Sequence, residues 1–395
     1  MRTSNNLSGA FHKSGSSKTL LVNLAPDNEM LDEIRRAEAI IRRELSAILK
    51  KGLSTIMLCD EGVTPAPKYL RQGSNAYGTL IDPLRGSTNY READSDIGMY
   101  LPLEFIKGAT STPKLGAKKL RELTAQALAQ IANANGWRFK SKHCCDRIYI
   151  RDDAHIDVTS YAIPRARHQE MVALAFVESS SKMDSSTTQS DEITWFEIPE
   201  TSLLATSDGW VRSDAKSINN TIENASQLFG PMFKRVVRFC KALRDWGDDA
   251  AGPTSIALTL LTAKHLDFNL CRVGRDDLAL LAVLGPMADG LLGRLPAPGN
   301  EDIDVLEATD YSVRERLAAS LRQRQSALRD ALHDQSCEQA YDTMKAIFGI
   351  RFPDAPDEAR ENDVGVTNTL GLAVPGIVHT SNNRAIPLRG NAQSA

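Results

Sequence analysis

The sequence QGSNAY at residues 72–77 contains a Gly-Ser turn, and two acidic segments follow it along the chain. They are Asp94-Ser95-Asp96 and His155-Ile156-Asp157. Two carboxylates separated by one residue on a strand point to the same face, roughly 6.5 Å apart. Both can then reach a pair of metal ions. Mg²⁺ suits them because it takes one or two protein carboxylates and completes its shell with water and phosphate oxygens. The pattern therefore predicts a strand-borne magnesium site beside a tight turn.

The composition is that of an ordinary globular protein. The 395 residues are 42% hydrophobic and 25% charged, and this length has room for two domains. No apolar run reaches membrane-spanning length, and the first residues lack the apolar core of a secretory signal. The six cysteines form no CxxC pair, and adjacent residues such as Cys144 and Cys145 cannot easily share an ion on a strand. We therefore expect a cytoplasmic protein with reduced thiols and no membrane contact.

The charge balance bears on the class of ligand. The formal net charge is −3, and basic residues cluster only locally. Proteins that grip long nucleic acids usually carry a strongly basic field, because phosphate neutralisation supplies much of their affinity. DNA is therefore not an expected partner, and a long RNA is disfavoured.

Hydrophobic periodicity divides the chain into a mixed part and a helical part. Residues 1–18 are polar and are predicted to be a disordered tail. In the mixed part the patterns predict helices over 28–49 and 114–134, strands over 97–103, 147–150, 155–162 and 194–198, and a polar loop over 178–193. The strands 147–150 and 155–162 are predicted to form a hairpin.

From residue 217 onward the pattern is helical. Phe233, Val236, Cys240 and Leu243 share one apolar stripe, and Gly252-Pro253 is expected to open a helix that ends near 266. Further helices are predicted over 276–292 and 311–348. Residues 356–395 have little periodicity and are predicted to be a flexible tail.

Five blocks of sequence, in order, resemble one protein family. They are 72–77, 94–102 (DSDIGMYLP), 155–164 (HIDVTSYAIP), 233–245 (FKRVVRFCKALRD) and 252–255 (GPTS). Together they resemble the CD-NTase family, the bacterial cGAS/DncV-like nucleotidyltransferases, and in particular the DncV-type cyclic dinucleotide synthases. One Gly-Ser turn would be weak evidence, whereas five blocks in register are specific.

The resemblance implies an α+β fold. It predicts a DNA-polymerase-β-like palm, a mixed sheet with helices, over residues 19–215 and an α-helical domain over 216–355, with nucleotides bound in the cleft between them. It also implies a nucleotidyltransferase that joins ATP and GTP into 3′,3′-cyclic GMP-AMP and releases pyrophosphate. In this family the product signals phage infection to a downstream effector in CBASS defence.

The resemblance assigns roles to the acidic residues. Asp94, Asp96 and Asp157 match the family's catalytic, metal-binding carboxylates, which would hold two Mg²⁺ ions. Surface aspartates in turns are the alternative, but the apolar neighbours Ile97 and Ile156 favour strands with one buried face. His155 shares the strand face of Asp157, and we expect it to pack beside the ligands rather than to bind the ion.

The resemblance also marks a set of nucleotide-binding residues on both domains. An ordinary turn remains open for Gly73 and Ser74, and core packing remains open for Tyr77. Lys241 would otherwise be a solvated lysine. The expected contacts are to the triphosphate, to a base and to the acceptor nucleotide, and they come from Gln72, Gly73, Ser74, Tyr77, Arg147, Lys241, Ser255 and Asp302.

Two other functions remain compatible with the sequence. One is a nucleotidyltransferase with another base choice, or one that extends RNA or a small acceptor without cyclising it. The other is a catalytically silent nucleotide-binding scaffold. DncV-type chains commonly end in glycine and are joined to targets by a ubiquitin-type conjugating enzyme, whereas this chain ends at Ala395. Such a partner is an open expectation.

Overall fold

The computed structural model of this chain describes residues 5–12, 19–56, 66–86, 90–103, 113–170, 202–213, 215–247 and 252–355. The predicted α+β class is confirmed. A mixed sheet contains the strands β1 (Lys68–Gln72), β2 (Ala93–Pro102), β3 (Arg138–Ser141), β4 (Asp146–Arg151), β5 (Ala154–Ile163), β6 (Ser202–Thr206) and β7 (Gly209–Ser213). The helices that precede β3 are α1 (Ser8–Phe11), α2 (Leu20–Asn23), α3 (Asn28–Ile56), the short α4 (Gly73–Ala76) and α5 (Pro113–Ala134).

The second part of the chain is mainly helical. It contains α6 (Ala215–Phe229), α7 (Pro231–Trp246), α8 (Ser255–His265), α9 (Phe268–Val273), α10 (Asp276–Leu292), the two-stranded β8 (Pro296–Ala297) and β9 (Asn300–Asp304), α11 (Tyr311–His333) and α12 (Cys337–Phe348). The buried residues of α7, α8, α10, α11 and α12 form one continuous apolar core.

The sheet follows the order β1-β2-β5-β4-β3, and β6 and β7 extend it from the end of β5. The central pair β2 and β5 is parallel, and the strands beside it are antiparallel. Successive side chains of β2 point to opposite faces of the sheet. Ile97, Met99 and Leu101 pack against α3 and α5 on one face. Asp94 and Asp96 consequently lie on the other face.

Most of the predicted elements are confirmed. The hairpin of β4 and β5 forms as expected. Helix α5 ends at Ala134, and Gly136 follows it with φ +70°, a conformation that glycine adopts without strain. The predicted polar loop over 178–193, the strand over 194–198 and the tail over 356–395 lie outside the described residues.

Two predictions are wrong. The helix expected over 311–348 is two helices, because Ser336 begins α12 with a capping box in which Gln339 bonds back to Ser336. The disordered tail expected over residues 1–18 is wrong for residues 5–12. There Leu7 and Phe11 are buried in the core of the helical domain. The carboxylate of Asp277 accepts hydrogen bonds from the Leu7 backbone and the Ser8 hydroxyl.

Polar contacts join the palm to the helical domain. Arg91 donates to the carbonyl of Gly252 over 2.8 Å, and Arg351 donates to the carbonyl of Asp82. The backbone of Asp82 in turn donates to the carbonyl of Leu24, which is part of the helical core. Asp82, at the cleft between the two domains, is therefore bonded to residues near both ends of the chain, Leu24 and Arg351.

Candidate active site

The sheet brings the predicted carboxylates together. In the parallel pairing of β2 with β5, Asp94 lies opposite His155 and Asp96 lies opposite Asp157. Residues opposite each other in neighbouring strands share a face. Segments that are about sixty residues apart in sequence therefore place all three aspartates at the same end of one sheet face.

Asp94, His155 and Asp157 form one compact group. Each offers a ligand atom, and these atoms all lie within 4.8 Å of one another. Asp94 and Asp157 belong to the set of residues predicted to bind metal, and His155 joins them in this group, which does not contain Asp96.

Asp96 lies beside this group, against the Gly-Ser turn. Its Oδ2 would be only 1.9 Å from a Cβ atom at Gly73, and Gly73 has φ +68°. Burial, together with the negative charges of Asp94 and Asp157, raises the pKa of Asp96 well above its usual value. Only glycine fits here, so the turn and the carboxylate are packed as a unit.

Asp157 is a buried carboxylate that carries cationic partners. Arg147 binds it through two hydrogen bonds, from Nε and from Nη2, both 2.7 Å long. Lys142 Nζ lies 3.7 Å away, and the Cys145 thiol donates over 3.4 Å. Burial opposes ionisation, but the hydrogen bonds and charge of Arg147 outweigh it and hold the pKa of Asp157 below its usual value.

Lys241 crosses the domain boundary from α7. Its ammonium donates to Ser74 Oγ over 2.8 Å and to the carbonyl and hydroxyl of Thr79 over 2.9 and 3.1 Å. Burial, and then the positive charge of Arg244, lower the pKa of Lys241 to about 7. Lys241 is thus a buried lysine that faces the Gly-Ser turn, rather than a solvated one.

A cleft of about 360 Å³ lies beside these groups, and Asp96 and Asp157 are not among the described residues that line it. One side of the cleft is lined by Asp94, His155 and Arg147 of the sheet, and the other by Lys241 and Ser255 of the helical domain. The helix expected to open at Gly252-Pro253 begins at Ser255, the first residue of α8, and the Ser255 hydroxyl accepts from Arg244 over 3.4 Å. Carboxylates, cations and hydroxyls around one cleft suit a phosphate ester that carries metal ions.

Besides Gly73 in the turn, three of the predicted nucleotide-binding residues do not line the cleft. The Gln72 amide donates to the Tyr100 hydroxyl over 2.8 Å and accepts from the Tyr161 hydroxyl over 3.3 Å, beneath the cleft. Tyr77 packs against the helical core, which agrees with the alternative of core packing. Asp302 is exposed on β9, and it is not among the described residues that line the cleft.

Several cleft residues were not found from the sequence. Glu92 precedes Asp94 by two positions, so the period of a strand that placed Asp94 and Asp96 on one face also places Glu92 there. Arg244 and Asp245 lie three and four residues after Lys241, which is the spacing of one helix face. Both signals were present in the sequence. Tyr149 also lines the cleft, opposite His155 in the β4–β5 pairing, and this could not be read without the register.

A buried network holds the back of the site. Ser95, between the two aspartates, donates to Glu38 of α3 over 2.6 Å and accepts from Asn75 over 3.1 Å. Glu38 is 1% exposed and pairs with Arg71 of β1 at 2.6 Å. The turn, the two strands and α3 are therefore tied together directly behind the carboxylates.

Comparison with known proteins identifies relatives. A family model described as "Cyclic GMP-AMP synthase DncV-like, nucleotidyltransferase domain" matches residues 67–161, which contain the Gly-Ser turn and all three aspartates. A cyclic GMP-AMP synthase of Escherichia coli (strain TW11681) is 30% identical over 306 residues, covering 73% of this chain and 68% of that protein. One from Vibrio cholerae is 34% identical over 227 residues, covering 53% of this chain but only 49% of the relative.

Solved structures share the fold. Vibrio cholerae DncV, in complex with the linear intermediate pppA(3′,5′)pG, superposes with a TM-score of 0.68 at 20% identity, covering 90% of this chain and 97% of that one. Escherichia coli DncV with bound 3′-deoxy GTP gives a TM-score of 0.63 at 19% identity, covering 88% of this chain and 97% of that one. In the part of the chain that the structure describes, no helix combines the length and apolar character needed to cross a bilayer.

The fold, the order of the motifs and the extent of the match to the Escherichia coli relative agree with one another. The chain belongs to the DncV-like nucleotidyltransferase family.

Proposed function

We propose that this enzyme is a cyclic dinucleotide synthase that uses ATP and GTP, makes 3′,3′-cyclic GMP-AMP and releases pyrophosphate. The observation that carries the proposal is the cleft in which Asp94, grouped with His155 and Asp157, lies across the domain boundary from Lys241 and Ser74. The relatives named cyclic GMP-AMP synthase support the choice of product.

The donor set fits a divalent cation of the Mg²⁺ type. Asp94 and Asp157 supply carboxylate oxygens, and Asp96 lies close enough to both for their charges to raise its pKa. These residues would hold the ions. When bound, such ions stabilise the charge on the attacking and leaving oxygens of an in-line displacement at phosphorus.

The chain's own residues would bind and orient the nucleotides. Ser74 and Lys241, already in contact, offer a hydroxyl and an ammonium to the triphosphate. Ser255 at the start of α8 adds a donor where the helix dipole favours negative charge. Tyr149 presents an aromatic ring that a base could stack on, a contact worth on the order of 1–3 kcal/mol.

The reaction would proceed by two transfers. In each, a ribose 3′-hydroxyl oxygen forms a bond to an α-phosphorus, the bond from that phosphorus to the β-phosphate bridging oxygen breaks, and pyrophosphate leaves with the electron pair. The hydroxyl proton is lost to solvent or to a nearby carboxylate. The first transfer gives a linear dinucleotide, and the second closes the ring.

A product assay tests the proposal. The purified chain is incubated with labelled ATP and GTP and Mg²⁺, and the products are treated with phosphatase and analysed by mass spectrometry. A phosphatase-resistant cyclic dinucleotide is expected. Asp94→Asn combined with Asp96→Asn should abolish it, whereas Asp152→Asn, at a fully exposed aspartate in the β4–β5 turn, should not. Linear products alone would count against cyclisation and favour a non-cyclising nucleotidyltransferase.

The biological role follows the family. We propose that the cyclic nucleotide acts in the cytoplasm as the second messenger of CBASS antiphage defence and reaches a downstream effector. Conjugation of the C-terminus by a ubiquitin-type enzyme stays a prediction, because Ala395 lies outside the described residues. Loss of phage protection in cells that carry the Asp94→Asn, Asp96→Asn chain would support the role. Full protection by that variant would contradict it.

A further inference from the structure

His155 is held between two carboxylates at the wall of the cleft. Its Nδ1 lies 2.6 Å from Glu92 Oε2, and its Nε2 lies 2.9 Å from Asp94 Oδ1. The imidazole is only 5% exposed, although all three residues line the cleft. A histidine buried this deeply at the edge of a nucleotide cleft has a fixed orientation.

The two contacts of the ring are different in kind. The Nδ1 contact to Glu92 is a hydrogen bond. The Nε2 contact to Asp94 is short but not aligned for one, and neither Nε2 nor Asp94 Oδ1 has a hydrogen-bond partner among the described residues. When Nδ1–H donates to Glu92, a neutral ring keeps a free lone pair on Nε2. Two buried acceptor atoms, Nε2 and Asp94 Oδ1, then lie side by side 2.9 Å apart without a donor between them.

We propose that His155 is itself a metal ligand, and that Nε2 of His155 with oxygens of Asp94 and Asp157 forms a mixed nitrogen–oxygen site for a divalent transition-metal ion such as Mn²⁺. The inference deepens the proposed function, on which it rests. It changes the sequence-based expectation that His155 only packs beside the ligands.

The distances suit such a site. Two ligand atoms that bind an octahedral ion at right angles, each at about 2.1 Å, lie about 3.0 Å apart. The separation of His155 Nε2 from Asp94 Oδ1 is 2.9 Å. Asp157 completes the group within 4.8 Å. A carboxylate has about four lone-pair sites, so Asp157 can accept from Arg147 and still offer an oxygen.

Glu92 determines which nitrogen of His155 is free to bind a metal ion. Histidines that bind metals almost always donate their other ring N–H to a carboxylate or a carbonyl, which fixes the tautomer and makes the ligating nitrogen more basic. Glu92 is that carboxylate for His155. An imidazole nitrogen suits transition metals, whereas Mg²⁺ prefers oxygen donors alone. The site should therefore bind Mn²⁺ more tightly than Mg²⁺.

Pulsed electron paramagnetic resonance of the Mn²⁺-loaded full chain, without nucleotide, tests the coordination directly. A ¹⁴N modulation from a ligating imidazole is expected in the wild type and should be lost in His155→Gln. Mn²⁺ affinity, measured by titrating the free-ion signal, should fall on the order of 10-fold in His155→Gln. His143→Gln, at an exposed histidine bonded to Ser207, should change neither.

Isotope labelling, together with the product assay, makes the outcome decisive. In wild-type protein with ¹⁵N-labelled histidine, the ¹⁴N modulation should be replaced by that of ¹⁵N. This measurement uses the wild type and so does not depend on the folding of a variant. Absence of any nitrogen modulation in the wild type, or failure to bind Mn²⁺, would overturn the proposal. Nitrogen coordination without a cyclic product would support His155 as a metal ligand and contradict the proposed function. A cyclic product without nitrogen coordination would support the proposed function and contradict His155 as a ligand.

Discussion

Lys241 Nζ donates to Ser74 Oγ over 2.8 Å, so an ammonium of the helical domain is bonded directly to the turn of the palm. The same nitrogen is also bonded to the carbonyl and hydroxyl of Thr79. The lysine is 2% exposed. Its amino group is therefore buried at the domain boundary beside the cleft, where an anionic ligand would favour the charged form.

The first prediction is that nucleotide binding protonates Lys241. Burial lowers its pKa to about 7, so at pH 8 most of this lysine is neutral in the free protein. A triphosphate favours the charged form, and its binding should therefore take up close to one proton. Calorimetry of binding at pH 8, in buffers that differ in ionisation enthalpy, measures this uptake.

Lys241→Met should remove most of the proton uptake and weaken nucleotide binding. Lys264→Met, at an exposed lysine near the end of α8, is the control and should take up protons like the wild type. Equal uptake in the Lys241→Met and wild-type proteins would show that another group is protonated.

The second prediction concerns Asp96, whose substitution should stabilise the metal-free protein while abolishing activity. Burial and the neighbouring Asp94 and Asp157 raise the pKa of Asp96 above that of the unfolded chain. Above pH 4 the unfolded chain is ionised at this position, so this carboxyl group costs the fold stability as the pH rises toward the raised value. Asp96→Asn removes the cost.

Thermal unfolding in EDTA checks this, and the melting temperature of Asp96→Asn should exceed that of the wild type at pH 7. At pH 3.5 the difference should shrink, because both states are then largely protonated. Asp94→Asn, at a carboxylate that is 42% exposed, should give a smaller gain. A lower melting temperature for Asp96→Asn would mean that the ionised carboxylate is stabilised by its surroundings.

The third prediction separates a steric clash from backbone strain at the Gly-Ser turn. A Cβ at Gly73 would meet Asp96 Oδ2 at 1.9 Å, and φ there is +68°. At Gly86 φ is +79° but a Cβ would meet nothing within 4 Å. Both alanine variants carry the strain of the left-handed region, on the order of 1 kcal/mol, but only Gly73→Ala must move the carboxylate.

Gly73→Ala should therefore lose nucleotidyltransferase activity by two orders of magnitude or more, while Gly86→Ala should keep most of it. Steady-state kinetics of both purified variants, with circular dichroism to confirm folding, makes the comparison. Similar losses in the two variants would attribute the effect to backbone strain rather than to displacement of Asp96.

The sequence could predict that Asp94 and Asp96 share a face because that placement depends on strand alternation alone. Asp94 and Asp96 share a face for this reason, whatever their partners. The pairing of Asp94 with His155 depends on a parallel register between segments that are far apart in sequence, and local pattern does not contain that register. The position of His155 beside Asp94 therefore emerged only from the structure.

Other misses have a similar physical cause. Gln72 lies opposite Asp96, but its amide extends along the strand to Tyr100 because Gly98 leaves room for it. Residues 5–12 are polar in composition, yet Leu7 and Phe11 are spaced four apart and fill a pocket of the helical core. Both outcomes depend on packing partners that are distant in sequence.

The fourth prediction concerns Arg147, which should oppose metal binding. Its guanidinium forms two hydrogen bonds of 2.7 Å to Asp157 and places a positive charge beside the proposed ion site. In Arg147→Gln the buried Asp157 loses both of these hydrogen bonds and keeps only Lys142, at 3.7 Å, as a cationic neighbour, so the metal-free protein should be destabilised. A bound divalent cation would replace the missing positive charge.

The rise in melting temperature on adding saturating Mg²⁺ or Mn²⁺ should therefore be larger for Arg147→Gln than for the wild type. The metal-free variant should melt at a lower temperature than the metal-free wild type. Arg138→Gln is the control. It removes an arginine of the edge strand β3 whose guanidinium lies over the Tyr149 ring, and it should show the wild-type metal-dependent shift. An equal shift in Arg147→Gln and wild type would mean that Arg147 and the ion do not compete for the charge of Asp157.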